Sequence, residues 1–101
     1  MMHSTKKRIS AGVRVRVKEP GPVPGWSTWE CDGHRTSNSV KRRLQQLFFK
    51  GDRRITAAVV YIASEAERNR LKRDNRLKVE LRDPAGCSIV ITACAENLCV
   101  A

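Results

Sequence analysis

The sequence predicts a small α+β domain in which two helices cover one face of a four-stranded mixed sheet. Apolar residues make up 41% of the 101 residues and charged residues 30%, a balance typical of a globular domain. Short alternating or β-branched stretches predict four strands, and two stretches with helical spacing separate the first three of them. The predicted order is therefore β-α-β-α-β-β, as in a two-layer sandwich.

The chain begins with a basic arm at residues 1–8, and the predicted domain covers residues 9–95. Its first strand is the stretch 13–17, where three valines alternate with two arginines, so that one face is apolar and the other basic. The stretch 19–25 contains three prolines and two glycines, which end the strand. A long loop follows and extends to about residue 36.

The first helix begins near a Ser or Asn cap at residues 37–39. Its apolar residues, at positions 40, 44, 47 and 48, form one stripe along a helix. Gly51 suits the left-handed conformation that ends many helices. Residues 55–63 are apolar at nearly every position and rich in β-branched side chains, which predicts a central strand.

A capping box at residues 64–67 starts the second helix, and the alternating stretch 76–82 predicts the third strand. The turn 83–86 has Pro at its second position and Gly at its fourth, and it leads into a last strand at residues 87–95. Residues 96–101 are expected to form a loose tail. Right-handed crossovers through both helices would make the first three strands parallel, with the fourth antiparallel to the third.

The charge of the chain indicates its class of partner. The net charge is +10 and the pI about 10.2, and the basic residues of segments 1–18 and 41–54 are poorly matched by acids. Cations of the second helix, by contrast, are interspersed with acidic residues. A surface with such an unmatched positive charge attracts polyanions, of which nucleic acid is the commonest in cells.

The candidate binding residues lie on the first strand and on and after the first helix. Cations at positions 41–43 face the positive end of the helix dipole, which costs about 0.3–1 kcal/mol each when exposed. Phe49 would be an exposed aromatic ring that stacks on a base. The candidates are Arg14, Arg16, Lys18, Lys41, Arg42, Arg43, Gln46, Phe49, Lys50, Arg53 and Arg54.

Each group of candidates has a structural alternative. The helix residues could form a solvated polar face with Phe49 folded under the neighbouring loop. The strand residues could be edge charges that prevent aggregation. Trp26 and Trp29 either pack the long loop onto the sheet or offer a surface for stacking or for a partner.

These observations predict a non-enzymatic nucleic-acid-binding domain that uses mainly phosphate contacts, with RNA slightly favoured over DNA. The alternative is a protein-interaction module that binds an acidic partner. It could also form a homodimer through the apolar strip of Thr56, Ala58, Val60 and Ile62, which two helices on one face would leave open. Salt dependence and oligomeric state distinguish the two functions.

The four cysteines and the absence of a signal peptide predict free thiols in a reducing, cytoplasmic location. The acid-free N-terminus leaves a targeting segment open. No membrane association is expected, because the longest charge-free runs, residues 55–64 and 84–95, are too short to span a bilayer.

The cysteines also leave two chemical alternatives open. Cys31, His34, Cys94 and Cys99 would be a zinc site if the loop brought them together, and Cys31 with His34 would be a minimal nucleophile–base pair. Neither is the predicted function, and no cofactor is expected.

Overall fold

Two helices and six short strands form the part of the chain that the computed structural model describes, residues 9–23, 31–33 and 35–101. This architecture confirms the predicted α+β class. The helices are α1 (Asn38–Phe49) and α2 (Glu65–Arg73). The strands are β1 (Val15–Val17), β2 (Cys31–Asp32), β3 (Thr56–Val59), β4 (Arg76–Arg82), β5 (Ser88–Cys94) and β6 (Leu98–Val100). The basic arm, both tryptophans and His34 lie outside the described residues.

The strands form a four-stranded sheet in the order β2-β5-β4-β3 and a two-stranded sheet of β1 and β6. Every strand pair in them is antiparallel, which corrects the predicted parallel arrangement. A bridge between Arg14 and Ala58 joins the two sheets. It is supported by the Gly12 N–H, which donates to the Val59 carbonyl at 2.9 Å, and by the Val59 N–H, which donates to the Val13 carbonyl at 3.0 Å.

The connection through α2 explains the antiparallel pairing of β3 and β4. The Val60 N–H donates to the Lys78 carbonyl at 2.9 Å, so the pairing continues one residue beyond β3 before the chain departs. After the nine residues of α2, a tight turn with Asn75 at φ 55° reverses the chain. Strand β4 therefore starts at the end of the sheet where β3 finishes, and the chain does not cross the sheet as a parallel connection would.

The C-terminal residues are ordered, in contrast to the expected loose tail. A short 3-10 turn (Ala95–Asn97) leads into β6, where Leu98 is buried. Leu98 lies opposite Val17 of β1, and the Lys18 N–H donates to the Asn97 carbonyl at 2.8 Å. Strand β6 thus gives β1 the backbone hydrogen bonds that a lone strand would lack.

Only one of the helices packs on the main core. That core consists of Leu44, Phe48 and Phe49 of α1, Ile55 just before β3, and Val15, Val17, Ala57, Val59, Val79, Leu81, Ile89, Ile91, Ala93 and Leu98 of the strands. Leu71 of α2 is buried outside this cluster, and Glu67 of α2 forms an ion pair with Lys78. Because Lys78 precedes the core residue Val79 on β4, it projects to the opposite face of the sheet. The helices do not share one face, which corrects the prediction.

Local sequence signals fit the observed element ends. The Ser37 side chain accepts a hydrogen bond from the Val40 N–H at 3.4 Å, and that of Ser64 accepts one from the Glu67 N–H at 3.3 Å. Gly51 follows α1 with φ 78°, as expected for a left-handed helix end. The hairpin turn contains the Gly86 N–H to Asp83 carbonyl bond at 3.1 Å.

Candidate nucleic-acid interface

Seven of the eleven candidate residues lie on two exposed surfaces. We call exposed residues Arg42, Arg43, Gln46 and Lys50 the α1 surface, and exposed residues Arg14, Arg16 and Lys18 the strand surface. On β1, Val15 and Val17 face the core that α1 covers, so Arg14 and Arg16 project away from α1. Arg14 and Arg16 therefore lie on the sheet face opposite α1, apart from the α1 surface.

The strand surface has acidic neighbours. Arg14 lies beside Ala58, and Ala58 lies opposite Glu80 on β4. Two strand spacings of about 4.8 Å separate Arg14 from Glu80 along this row. Glu80 accepts a hydrogen bond from the Arg82 Nη2 at 3.3 Å, so this side of the sheet carries both signs of charge. It is the weaker candidate for polyanion binding.

Arg43 has a structural partner. Its Nη2 donates to the Asp83 Oδ2 at 2.9 Å, and the Asp83 side chain is only 7% exposed. The other carboxylate oxygen of Asp83 accepts from the Cys87 N–H at 2.9 Å within the β4–β5 turn. Arg43 thereby connects α1 to the hairpin, which gives a structural reason for a cation near the start of the helix.

Lys41 also packs against the rest of the domain. Its side chain is half-buried over Gly33, where a Cβ atom would lie 3.3 Å from the Lys41 Cε and 2.9 Å from the Ile89 Cγ2. Only a glycine leaves room for this close approach. The aliphatic part of Lys41 therefore packs on the chain just after β2, as long basic side chains often do.

Arg54 is paired within its own turn. Its side chain donates to both carboxylate oxygens of Asp52, at 3.1 Å from Nε and 2.7 Å from Nη2, and its backbone N–H donates at 2.9 Å. These hydrogen bonds lower the pKa of Asp52 to about 2, and Asp52 in turn raises the pKa of Arg54. Much of the positive charge of Arg54 is therefore matched.

Phe49 is not available for stacking on a base. It is 5% exposed and packs edge-on against Phe48, with ring centroids 5.2 Å apart. The Gly21 N–H donates to the Phe49 carbonyl at 2.8 Å, so the segment that leaves β1 runs along the end of α1. The alternative in which Phe49 folds under the neighbouring loop is therefore correct.

Among the candidates on and after α1, four remain exposed with no acidic partner in the described part of the chain, namely Arg42, Gln46, Lys50 and Arg53. The first three are spaced four residues apart, which places them in one row with a rise of about 6 Å between neighbours. The row spans about 12 Å, and Arg53 follows it in the turn after the helix. This row is the core of the candidate interface.

The stability of α1 does not explain Arg42. The first turn of α1 contains no acidic residue, whereas α2 begins with Glu65 and Glu67 and ends with three basic residues. The pattern in α2 is the one that complements a helix dipole. Lys50 also suits the negative end of its helix, but Arg42 lies near the positive end, where an unpaired cation is unfavourable.

The cysteines do not form a cluster. The four thiols are free and half-buried, and no group of three metal-ligating side chains occurs among residues 9–23, 31–33 and 35–101. Cys31 lies opposite Ile91 on the core face, while Cys94, three residues further along β5, projects to the other face. These two cysteines cannot ligate one metal ion in this fold. Burial raises the pKa of the Cys31 thiol, which disfavours its thiolate form.

The apolar strip predicted to lie open is largely covered. Of its four residues, Thr56 is exposed, while Ala58, Val60 and Ile62 are half-buried. Arg14 lies beside Ala58, and Glu67 of α2 lines the same cavity as Val60 and Ile62. The antiparallel connection thus folds α2 over a face that the predicted arrangement leaves bare.

Sequence reasoning missed Tyr61, the large apolar side chain that is most exposed among the described residues, at 68%. The apolar stretch 55–63 predicts that Tyr61 lies inside a central strand, but β3 ends at Val59. The signal was the Ser64 cap, because a chain must leave the sheet several residues before a helix begins.

Within the described residues, no helix combines the length and the apolar character needed to cross a membrane. Comparison of the chain with protein-family models, with curated proteins and with solved structures finds no match. The candidate interface therefore rests on the residues and geometry of this chain alone.

Proposed function

We propose that this protein is a non-enzymatic nucleic-acid-binding domain in which Arg42, Gln46 and Lys50 of the α1 surface, extended by Arg53, contact phosphates, with RNA slightly preferred over DNA. The observation that carries the proposal is the exposed row of Arg42, Gln46 and Lys50 on a helix that contains no acidic residue. Cations at both ends of the row suit two phosphates, and the Gln46 amide can donate or accept a hydrogen bond between them.

The net charge of +10 adds a long-range attraction that steers polyanions toward the protein. Contacts of this kind release counterions, so the affinity falls as salt rises. Phosphate contacts do not distinguish one base sequence from another, so α1 is expected to bind without sequence specificity. We further propose a cytoplasmic location, because all four cysteines are free thiols.

The test is a binding titration of single-stranded RNA and DNA oligomers of equal length at several salt concentrations. Arg42→Ala/Lys50→Ala removes two exposed cations of the α1 surface. Arg70→Ala/Arg73→Ala removes the same charge from the exposed side of α2 and serves as the matched control. For a single strand, each phosphate contact contributes about 0.7 to the magnitude of the slope of log affinity against log salt concentration. The α1 variant, which loses two such contacts, should therefore lower the magnitude of this slope by about 1.4.

The control should leave the salt slope near that of the wild type. If both variants reduced the salt slope equally, only net charge would matter for binding, and the assignment of the phosphate contacts to α1 would be wrong. Binding that does not depend on salt would refute the phosphate-contact mechanism as a whole. An acidic protein partner remains the alternative, and the covered apolar strip gives it no additional support.

A further inference from the structure

A cavity of about 560 Å³ lies at the end of the sheet where β3 ends and β4 begins. Its apolar walls come from Ile9, Val59, Leu71 and Leu77, which belong to four separate parts of the chain. This volume lies within the range of pockets that hold small organic groups. The cavity is separate from the α1 surface, since no α1 residue lines it.

The polar lining of the cavity is basic. Arg68, Lys72, Arg76 and Lys78 line it, and none of the described residues that line it is acidic. Lys78 is neutralised by Glu67, which faces a neighbouring cavity and whose pKa is lowered by the hydrogen bond from Lys78. Arg68 and Lys72 lie four residues apart on α2, both exposed and without an ion-pair partner in the described chain. They present two cations about 6 Å apart beside an apolar wall.

Tyr61 lines this cavity and also the neighbouring one of about 410 Å³. With 68% of its surface exposed, the ring gains little from burial in the fold. An exposed aromatic ring next to cations is the combination by which proteins hold single-stranded nucleic acid, with the base on the ring and the phosphate on the cations.

We infer that this cavity, which we call the α2 cavity, binds one unpaired nucleotide of single-stranded RNA. The base contacts the ring of Tyr61 and the apolar wall, and the adjoining phosphate binds Arg68 and Lys72. A base within a duplex is paired and stacked, so it cannot enter such a cavity without being extruded. This inference rests on the proposed function and adds a preference for unpaired strands.

The experiment compares a short single-stranded RNA with its duplex, at one salt concentration, using the full chain. Tyr61→Ala should weaken binding of the single strand by roughly 5- to 150-fold, the range for loss of one stacked base. Tyr61→Phe keeps the ring and should bind like the wild type, and the duplex should bind all three proteins equally. Because Tyr61 is exposed, thermal unfolding should be nearly unchanged in both variants.

A second pair of variants tests the phosphate contacts. Arg68→Ala/Lys72→Ala should weaken single-strand binding more than Arg70→Ala/Arg73→Ala, which removes equal charge from the same helix but from residues that do not line the cavity. Equal effects of these two variants would overturn the assignment of the phosphate to the α2 cavity.

Other outcomes would also overturn the inference. One such outcome is that Tyr61→Ala weakens binding of the single strand and of the duplex equally, or weakens neither. Another is that Tyr61→Ala converts a dimer to a monomer in sedimentation, which would place Tyr61 in an interface between copies of the chain. Tight binding of free adenosine monophosphate without binding of the strand would identify a free-nucleotide site instead. If Arg42→Ala/Lys50→Ala keeps the wild-type salt slope while Tyr61→Ala still loses single-strand affinity, the α1 assignment fails and the α2 cavity stands. If instead Arg42→Ala/Lys50→Ala lowers the salt slope and Tyr61→Ala keeps wild-type single-strand affinity, the α1 assignment stands and the α2 cavity is not a nucleotide site.

Discussion

Arg43 and Arg42 are adjacent and both exposed, yet the structure gives them different roles that a stability measurement separates. The Arg43 guanidinium is 55% exposed, but its partner Asp83 is 7% exposed and 2.9 Å away. Breaking a fully buried pair costs about 3–5 kcal/mol, and an exposed pair contributes about 0–1 kcal/mol. Since one partner is exposed and Asp83 keeps its bond from the Cys87 N–H, we expect Arg43→Ala to cost about 1–2 kcal/mol.

For a domain of this size that loss lowers the Tm by roughly 4–16 °C, which thermal unfolding followed by circular dichroism measures. Arg42→Ala is the matched control, because it removes the same side chain from the same turn without breaking a hydrogen bond or ion pair of the described residues. Its change in the free energy of unfolding should stay within about 0.5 kcal/mol. Arg43→Lys should recover part of the loss, since an ammonium supplies the charge but not the planar donor geometry.

A double-mutant cycle with Asp83→Asn isolates the interaction itself. The asparagine keeps an oxygen for the Cys87 N–H, so the cycle reports the Arg43–Asp83 pairing, with an expected coupling of about 1 kcal/mol. Two results would refute the reasoning: a coupling near zero, or equal stabilities of Arg43→Ala and Arg42→Ala. Arg43 would then belong with the candidate binding residues rather than with the fold.

Four further predictions follow from single residues. Phe49→Ala should cost about 3–5 kcal/mol in urea unfolding, while Phe49→Leu should keep both the fold and nucleic-acid binding; loss of binding in a folded Phe49→Leu protein would contradict burial of this ring. Gly51→Ala should destabilise the protein by about 1–2 kcal/mol, because φ 78° is strained for a residue with a Cβ, and unchanged stability would show that the helix end differs from the one described. NMR titration should find the Asp52 carboxylate ionised down to about pH 2, so that its stabilising contribution is present above the usual aspartate pKa and is lost as the pH falls through about 2; Arg54→Ala should return the midpoint to the ordinary range. Alkylation of Cys31 mapped by mass spectrometry should require a higher pH in the folded protein than in the unfolded chain, because burial raises the pKa of this thiol.

The core-facing side of α1 illustrates how much of the fold local sequence predicts. Leu44 and Phe48 belong to a stripe with helical spacing, and both are buried in the core. The caps at Ser37 and Ser64 are equally local signals, since each involves a hydroxyl and an N–H three residues away. Such features are predictable because the interacting groups are neighbours along the chain.

The pairing of the strands was not predictable in the same way. A helix between two strands suggests a parallel crossover, but the short α2 and the turn at Asn75 return the chain beside β3. Strand β6 similarly depends on β1, from which it is separated by most of the chain. Register and direction depend on contacts between distant segments, which a pattern of apolar residues within one segment does not specify.

The sequence by itself determined the α+β class, the positions of the helices and the excess of positive charge. Only the tertiary structure decided which cations are exposed for a ligand, because this depends on distant acids: Asp83 engages Arg43, whereas Arg42 next to it has no acidic partner among the residues that the structure describes. It also decided that Phe49 is buried and that Tyr61 is exposed. The segment after β1 packs against the end of α1 at Phe49, whereas β3 ends at Val59, so Tyr61 lies outside the sheet. Charge is a property of composition, but a binding surface is a property of how the folded chain pairs and covers those charges.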